Sequence, residues 1–220
     1  MFILTALPIQ TVMMLLCLSV SSWTTDHQWG LVYSLPNAEH PLIKYGLMFI
    51  FLDFLDYVYH VTMHNVKAFW RFHLVHHSDQ AVDVSTTVRE HPGESFIRNC
   101  FLILWVFLTG ASLEILLLRQ LAQTTANLSS HSSIRLPPLA ARVVGWLFIT
   151  PNLHHVHHHF QLPATNRNYG DVFSLWDRLF GTFANLTLAD TQFGLQTHMD
   201  GSIDARLLAL MGHGRKLLAK

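Results

Sequence analysis

Apolar residues run in long blocks along this chain, separated by shorter polar stretches. The block at 1–22 has no charged side chain and is long enough to cross a bilayer as a helix, which takes about 20 residues. A second block, at 41–59, is nearly as long but contains Asp53 and Asp56. We interpret both blocks as membrane-spanning helices. A cleaved signal peptide is the alternative for the first block, but the chain lacks the basic start of such peptides.

A third apolar region, at 94–131, is interrupted by the residues TGAS around Gly110. This break predicts two helices in a hairpin, the second returning to the side where the first began. Residues 139–150 are too short to cross a bilayer and are expected to lie at its surface. The pattern predicts an all-α integral membrane protein with about four membrane helices, two spans plus a helical hairpin.

Composition and charge support this interpretation. Of the 220 residues, 50% are hydrophobic and 13% are charged, whereas a soluble domain has about 25% charged residues. The 14 basic and 14 acidic residues balance, so nothing indicates a nucleic-acid partner. Lys and Arg are absent from residues 1–43 and recur from Lys44 onward, so the loop at 23–40 should face away from the cytosol.

Histidine is the one residue type in excess, with sixteen copies, most of them in three clusters. On a helix, spacings of three and four place side chains on one face. Two imidazoles one turn apart can therefore bind one metal ion, and an adjacent third histidine can reach a second ion. The candidate ligands in the clusters are His60, His64, His73, His76, His77, His154, His157 and His158.

The third cluster, HHVHHH, permits two choices of ligand. His155 and His159 are also four residues apart. The H-x-x-H-H spacing of the second cluster recurs in His154, His157 and His158, which favours these three. His155 and His159 would then lie beside the ligands or face solvent.

The predicted metal is iron. Imidazole suits iron, copper, nickel and zinc. A structural zinc ion needs four ligands, fewer than the clusters offer, and the H-E-x-x-H pattern of zinc proteases is absent. Cys17 and Cys100 both lie in apolar blocks, which argues against a thiolate site. An all-histidine set of this size favours a di-iron centre, with zinc as a substitute in purified protein.

Five segments, taken in order, resemble the fatty acid hydroxylase/sterol desaturase superfamily of membrane di-iron enzymes. The resemblance runs from about Asp53 to Thr182. The segments are DYVYHVTMH, WRFHLVHHSD, REHPGE, TPNLHHVHHH and NYGDVFSLWDRLFGT. The resemblance implies two iron ions bound by the clustered histidines, with His131 and His91 as further ligands. For His91, a capping or loop role before Pro92 is the alternative.

The resemblance also implies partners. These are a lipid substrate, dioxygen, membrane lipids and an external electron donor of the cytochrome b5 or ferredoxin type.

Two positions depart from the family's pattern: Val61 stands where an arginine is common, and Ser133 where an asparagine is often found. Carboxylates beside the clusters are expected to accept a hydrogen bond from a ligand imidazole. These are Asp53, Asp56, Asp171 and Asp177.

Together these expectations describe one membrane domain over 1–220. It divides into N-terminal spans (1–52), a histidine-rich helical core (53–183) and a tail (184–220) with an amphipathic end. The core is expected at the cytosolic face of a bacterial inner membrane or of the endoplasmic reticulum membrane. The expected function is dioxygen-dependent hydroxylation or desaturation of an unactivated C–H bond in a fatty acyl, sterol or related lipid. The alternatives are a zinc-dependent membrane hydrolase or isomerase, and a non-enzymatic metal-binding membrane protein.

Overall fold

The computed structural model describes residues 2–187 and 190–195, and this part of the chain is helical without any β-strand. Two isolated antiparallel bridges join Phe148 to Phe173 and His159 to Phe193. The all-α prediction is therefore confirmed for the described residues. The amphipathic end of the predicted tail, at 205–220, lies outside them.

Four long helices of 18 to 25 residues are accompanied by short helices of four to seven residues in the described part of the chain. Short turns of π-helix (Leu42–Leu47) and 3₁₀-helix (His76–Ser78, Val84–Val88 and Ala164–Asn166) connect them. The α-helices are α1 (Phe2–Asp26), α2 (Leu31–Ser34), α3 (Met48–Asn65), α4 (Lys67–His73), α5 (Pro92–Thr109), α6 (Leu113–Ser130), α7 (Pro138–Val144), α8 (Pro151–His157) and α9 (Leu175–Leu179).

The predicted hairpin is formed by α5 and α6, and Gly110 ends the first of them. Gly110 adopts a left-handed conformation with φ +73°, and a side chain there would lie 2.3 Å from the carbonyl oxygen of Trp29. Gly30 approaches the same turn from the other side, with φ +114°. Glycine is required at both positions because neither the backbone angle nor the space admits a Cβ atom.

One helical segment of the described residues, Ala6–Ser34, is long and apolar enough to cross a membrane. Large apolar side chains are nevertheless exposed on several other helices as well. Leu104 on α5 is 46% exposed, Leu121 on α6 is 68% exposed and Leu139 on α7 is 74% exposed. Exposed apolar surface of this extent indicates contact with a membrane or another protein.

The helices surround a small apolar core and a larger polar one. α1 packs along α5, α3 packs against α4, α5 and α6, and α6 packs against α8. The apolar core contains Val32, Met48, Leu52, Leu55, Ala111 and Ile115. Beyond it, the C-terminal ends of α3, α4 and α6 and the short α8 bring the buried histidines together.

Candidate metal centre

Nine of the ten predicted histidine ligands converge into two groups. The nitrogen atoms that each group offers to a metal all lie within 4.8 Å of one another. The first group contains His60, His64, His73, His77 and His157. The second group contains His76, His131, His154 and His158.

Histidines that are adjacent in sequence enter different groups. His77 belongs to the first group and His76 to the second, while His157 belongs to the first and His158 to the second. The rings of His77 and His158 stack with their centroids 4.5 Å apart. The two groups are therefore direct neighbours, and each H-x-x-H-H cluster contributes to both.

Hydrogen bonds fix the tautomers of the first group. The Nδ1 atom of His60 lies 2.8 Å from the carbonyl oxygen of Tyr169. The Nδ1 atom of His157 lies 2.7 Å from the carbonyl oxygen of Arg167. A carbonyl oxygen can only accept, so Nδ1 carries the proton in both rings and Nε2 keeps a free lone pair.

These lone pairs have no hydrogen-bond partner. The Nε2 atoms of His60, His64, His73 and His157 are buried and unpaired, as are both ring nitrogens of His77. Burying so many unpaired acceptors beside one another is costly. A metal cation would satisfy all of them at once, so the first group fits a metal ion.

In the second group the Nε2 atoms lie unusually close together. The Nε2 atom of His131 is 2.9 Å from that of His154, 3.1 Å from that of His76 and 3.2 Å from that of His158. Metal–imidazole bonds of about 2.0–2.1 Å place neighbouring ligand nitrogens about 3 Å apart. The observed spacing therefore fits ligands around one central ion.

Burial keeps the imidazoles in the neutral form that binds metals. Loss of solvation on burial, reinforced by neighbouring imidazoles, holds the pKa of His76, His77, His154, His157 and His158 well below the ordinary histidine value. At neutral pH these rings are uncharged and their lone pairs are available.

The segment 166–170 orients three imidazoles of the first group. The Asn166 side-chain oxygen lies 3.2 Å from the Nδ1 atom of His64. The carbonyl oxygen of Arg167 accepts a hydrogen bond from His157, and that of Tyr169 accepts one from His60. Part of the closing motif NYGDVFSLWDRLFGT thus has a role in the site. Sequence reasoning missed this role because a backbone carbonyl is present at every residue.

Asp177 acts on this segment rather than on a histidine. Its carboxylate accepts hydrogen bonds from the backbone N–H groups of Tyr169 and Gly170, at 2.7 and 2.9 Å, and from the Thr182 hydroxyl. It therefore supports His60 indirectly, through the Tyr169 carbonyl. The direct bond to an imidazole that we predicted for Asp177 is not present among the described residues.

The carboxylates of α3 are likewise bound by other groups. The guanidinium of Arg119 binds both oxygens of Asp56, with one N–H···O distance of 2.8 Å. Asp53 accepts from the Val172 backbone N–H at 3.0 Å and from the Trp176 indole N–H at 2.8 Å. Neither carboxylate has an imidazole among its partners in the described part of the chain, because a bidentate guanidinium occupies Asp56 and three N–H donors, the third from Phe173, occupy Asp53.

Asp171 also differs from expectation, and Glu94 has the role that we predicted for the aspartates. Asp171 accepts hydrogen bonds from the side-chain amides of Gln123 and Asn127. The backbone carbonyl oxygen of the same Asn127 lies 2.8 Å from the Nδ1 atom of His131, so Asp171 is connected to the second group through Asn127. The carboxylate that contacts a ligand imidazole is Glu94, 2.6 Å from the Nδ1 atom of His73. Its position in the motif REHPGE, just before an apolar run, was the available signal.

Three further histidines of the sequence analysis lie outside both groups. His91 caps the start of α5, where its Nδ1 atom accepts from the Gly93 backbone N–H at 2.9 Å. The Nδ1 atom of His159 accepts from the Gln192 backbone N–H at 3.1 Å. His155 is buried with its ring against that of Phe193.

Several relatives of known activity resemble this chain. An ornithine lipid hydroxylase of Rhizobium tropici is 32% identical over 138 residues, which is 62% of this chain and 40% of the relative. An alkylglycerol monooxygenase of Caenorhabditis elegans is 30% identical over 135 residues, 60% of this chain and 25% of the relative. A very-long-chain aldehyde decarbonylase of Oryza sativa subsp. indica is 28% identical over 155 residues, 70% of this chain and 58% of the relative.

The chain thus spans between a quarter and two fifths of the length of the first two relatives. No solved structure matches it. The sequence model of the fatty acid hydroxylase family matches residues 45–182, a range that includes every histidine of the two groups. Because this match covers well over half of the sequence, the chain belongs to the fatty acid hydroxylase family.

Proposed function

We propose that this chain is a membrane-bound oxidoreductase that uses dioxygen to hydroxylate or desaturate an unactivated C–H bond of a lipid. The proposal includes one iron ion in each histidine group. The observation that carries it is the convergence of unpaired Nε2 atoms in the first group, directly beside four close Nε2 atoms in the second. The named lipid hydroxylases and monooxygenases among its relatives support the reaction class.

Bound iron would supply the activation of dioxygen and the removal of a hydrogen atom from the substrate. The chain's own contribution is to hold, orient and shield the centre. The rings of His77, His131, His157 and His158 are each at most 1% exposed. A buried centre excludes bulk water and so limits side reactions at the metal.

The same fold would bring a lipid to the metal. We infer that α1, α3 and the α5–α6 hairpin lie in the bilayer, because α1 packs along α5 and large apolar side chains cover the outer surface. The histidines then lie at one membrane face, and the recurrence of basic residues from Lys44 onward supports a cytosolic position for this face. A soluble donor of the cytochrome b5 or ferredoxin type would deliver electrons there.

An isotope experiment tests the proposal. The full chain is purified in detergent without oxygen, reconstituted with ferrous iron, and supplied with a lipid extract, a chemical reductant and ¹⁸O₂. We expect about two iron ions per chain, one for each group, and ¹⁸O in a hydroxylated lipid. A desaturated product would carry no label but would still require dioxygen.

A zinc-dependent hydrolase is the second candidate. Imidazole suits zinc as well as iron, so the same histidine groups could hold zinc ions. This candidate predicts full activity with zinc, no dependence on dioxygen, and incorporation of ¹⁸O from labelled water. That result would refute the oxidoreductase proposal.

A further inference from the structure

His73 differs from the other imidazoles of the first group in the charge of its hydrogen-bond partner. Its Nδ1 atom lies 2.6 Å from the Oε1 atom of Glu94. The corresponding partners of His60 and His157 are backbone carbonyls, and that of His64 is an amide oxygen. Hydrogen bonds to a charged group are shorter and about twice as strong as neutral ones.

Glu94 is also a buried anion with an incomplete set of partners. It is 5% exposed, and its Oε2 atom has no hydrogen-bond partner. Arg98, one turn further along α5, donates to Glu90 at 2.6 Å. Glu90, just before α5, and Glu94, in its first turn, therefore lie near one guanidinium. A cation in the first group would lie beside His73 and, through it, beside the Glu94 carboxylate, whose Oε2 atom lacks a partner.

The element His91–Glu94 aims the Glu94 carboxylate at His73. His91 caps α5, and Pro92 follows as its first residue. Gly93 allows the start of the helix to lie against α4, because a Cβ atom there would be 2.7 Å from the Phe72 ring. Phe72 directly precedes His73, so this close approach brings Glu94 within hydrogen-bonding distance of the imidazole.

We propose that Glu94 is a positioning residue that acts through His73 and gives the first histidine group a higher metal affinity than the second. The negative charge of Glu94 makes the His73 imidazole a stronger electron-pair donor to the metal. It also stabilises a metal ion of higher charge. Iron in the first group should therefore also have the lower reduction potential of the two. The expectation about the reduction potential rests on the proposed function, because it requires iron in the site. The expected difference in affinity applies to any divalent ion.

The test compares Glu94→Gln with Glu114→Gln, a matched change at an exposed glutamate on α6. Metal-free full-length protein in detergent is titrated without oxygen, first with zinc and then with ferrous iron, against a competing chelator. We expect two binding steps in the parent chain. Glu94→Gln should weaken the tighter step about 10- to 100-fold and leave the weaker step unchanged, and Glu114→Gln should change neither.

The reduction potential gives a second measurement. In the iron-loaded protein, Glu94→Gln should raise the potential of one ion and leave that of the other in place. Equal weakening of both binding steps would indicate a general structural defect and overturn the inference. The inference would also be overturned if Glu94→Gln left the affinities of both binding steps unchanged.

A second variant keeps the test decisive if Glu94→Gln does not fold. Asn166→Asp places an anion on His64 in the same group and should tighten the same binding step. An unchanged affinity in this variant would overturn the inference. If the parent chain binds two ions and Glu94→Gln weakens one, but no dioxygen-dependent oxidation occurs, the proposed function fails and this inference stands.

Discussion

The two histidine groups use the same ligand type but differ in number and surroundings. The first group has five imidazoles, and the second has four. One imidazole of the first group contacts a carboxylate, whereas His131 of the second contacts a backbone carbonyl. Both groups nevertheless draw on the same two H-x-x-H-H clusters.

The sharing of clusters is reciprocal. His73 and His77 serve the first group, and the histidine between them, His76, serves the second. In the other cluster, His154 and His158 serve the second group and His157 serves the first. The two groups therefore share two segments of the chain and form together, and they differ in the number of imidazoles and in what lies around the ligands.

Replacing pairs of ligands should have the largest effect. His77→Ala with His157→Ala removes two ligands of the first group, whereas His76→Ala with His157→Ala removes one ligand from each. The first pair should cost one metal ion, whereas the second pair should lower the occupancy of both ions, as measured by elemental analysis. Activity should fall by more than about 100-fold in each case, because even groups that only orient a ligand contribute about 10- to 100-fold.

Identical metal losses in the two double variants would show that the histidines are not divided between two groups. The matched control is His159→Ala, which removes a clustered histidine that lies outside both groups. It should retain both ions.

Breaking the Asp56–Arg119 ion pair should have the next largest effect, and it should affect both groups. The pair joins α3, which carries His60 and His64, to α6, which leads to His131. Arg119→Met leaves a buried carboxylate without its partner, which costs about 3–5 kcal/mol. Denaturant unfolding in detergent would measure this loss.

A double replacement, Asp56→Leu with Arg119→Met, separates charge from packing. It should recover most of the lost stability, because an apolar pair of similar volume is often neutral or stabilising. If the double variant is as unstable as Arg119→Met, the guanidinium contributes through contacts other than this pair.

Changing His91 should have the smallest effect and should distinguish capping from ligation. His91→Ala removes the acceptor for the Gly93 N–H and should cost about 0.5–2 kcal/mol, while His91→Asn restores a good capping side chain. Both variants should keep two ions per chain. Loss of one ion from His91→Asn would restore His91 as a ligand.

Features that depend on local spacing were predictable from the sequence. The helical hairpin follows from an apolar run broken at Gly110. The meeting of His60 with His64, and of His73 with His77, follows from their separation by one helical turn. The resemblance to a known family supplied His131, which lies far from the histidine clusters in sequence although it contacts them in the structure.

Features that depend on distant partners were not predictable in the same way. The spacing of Asp56 and His60 on α3 suggests a hydrogen bond between them. The carboxylate of Asp56 instead binds Arg119, which lies 63 positions after Asp56 in the sequence. Backbone acceptors such as the Tyr169 carbonyl carry no sequence signal. The division of the adjacent His157 and His158 between two groups, by contrast, agrees with the expectation that a neighbouring histidine reaches a second ion.

The order of the site along the chain has a consequence for how the protein matures. A ribosome adds all nine grouped histidines to the chain before it adds Tyr169, whose carbonyl orients His60, and Asp177, which holds Tyr169 in place. A nascent chain therefore presents imidazoles whose protons are not yet assigned to one nitrogen. We therefore expect the first group to bind a metal ion stably only after Tyr169 and Asp177 have taken their places.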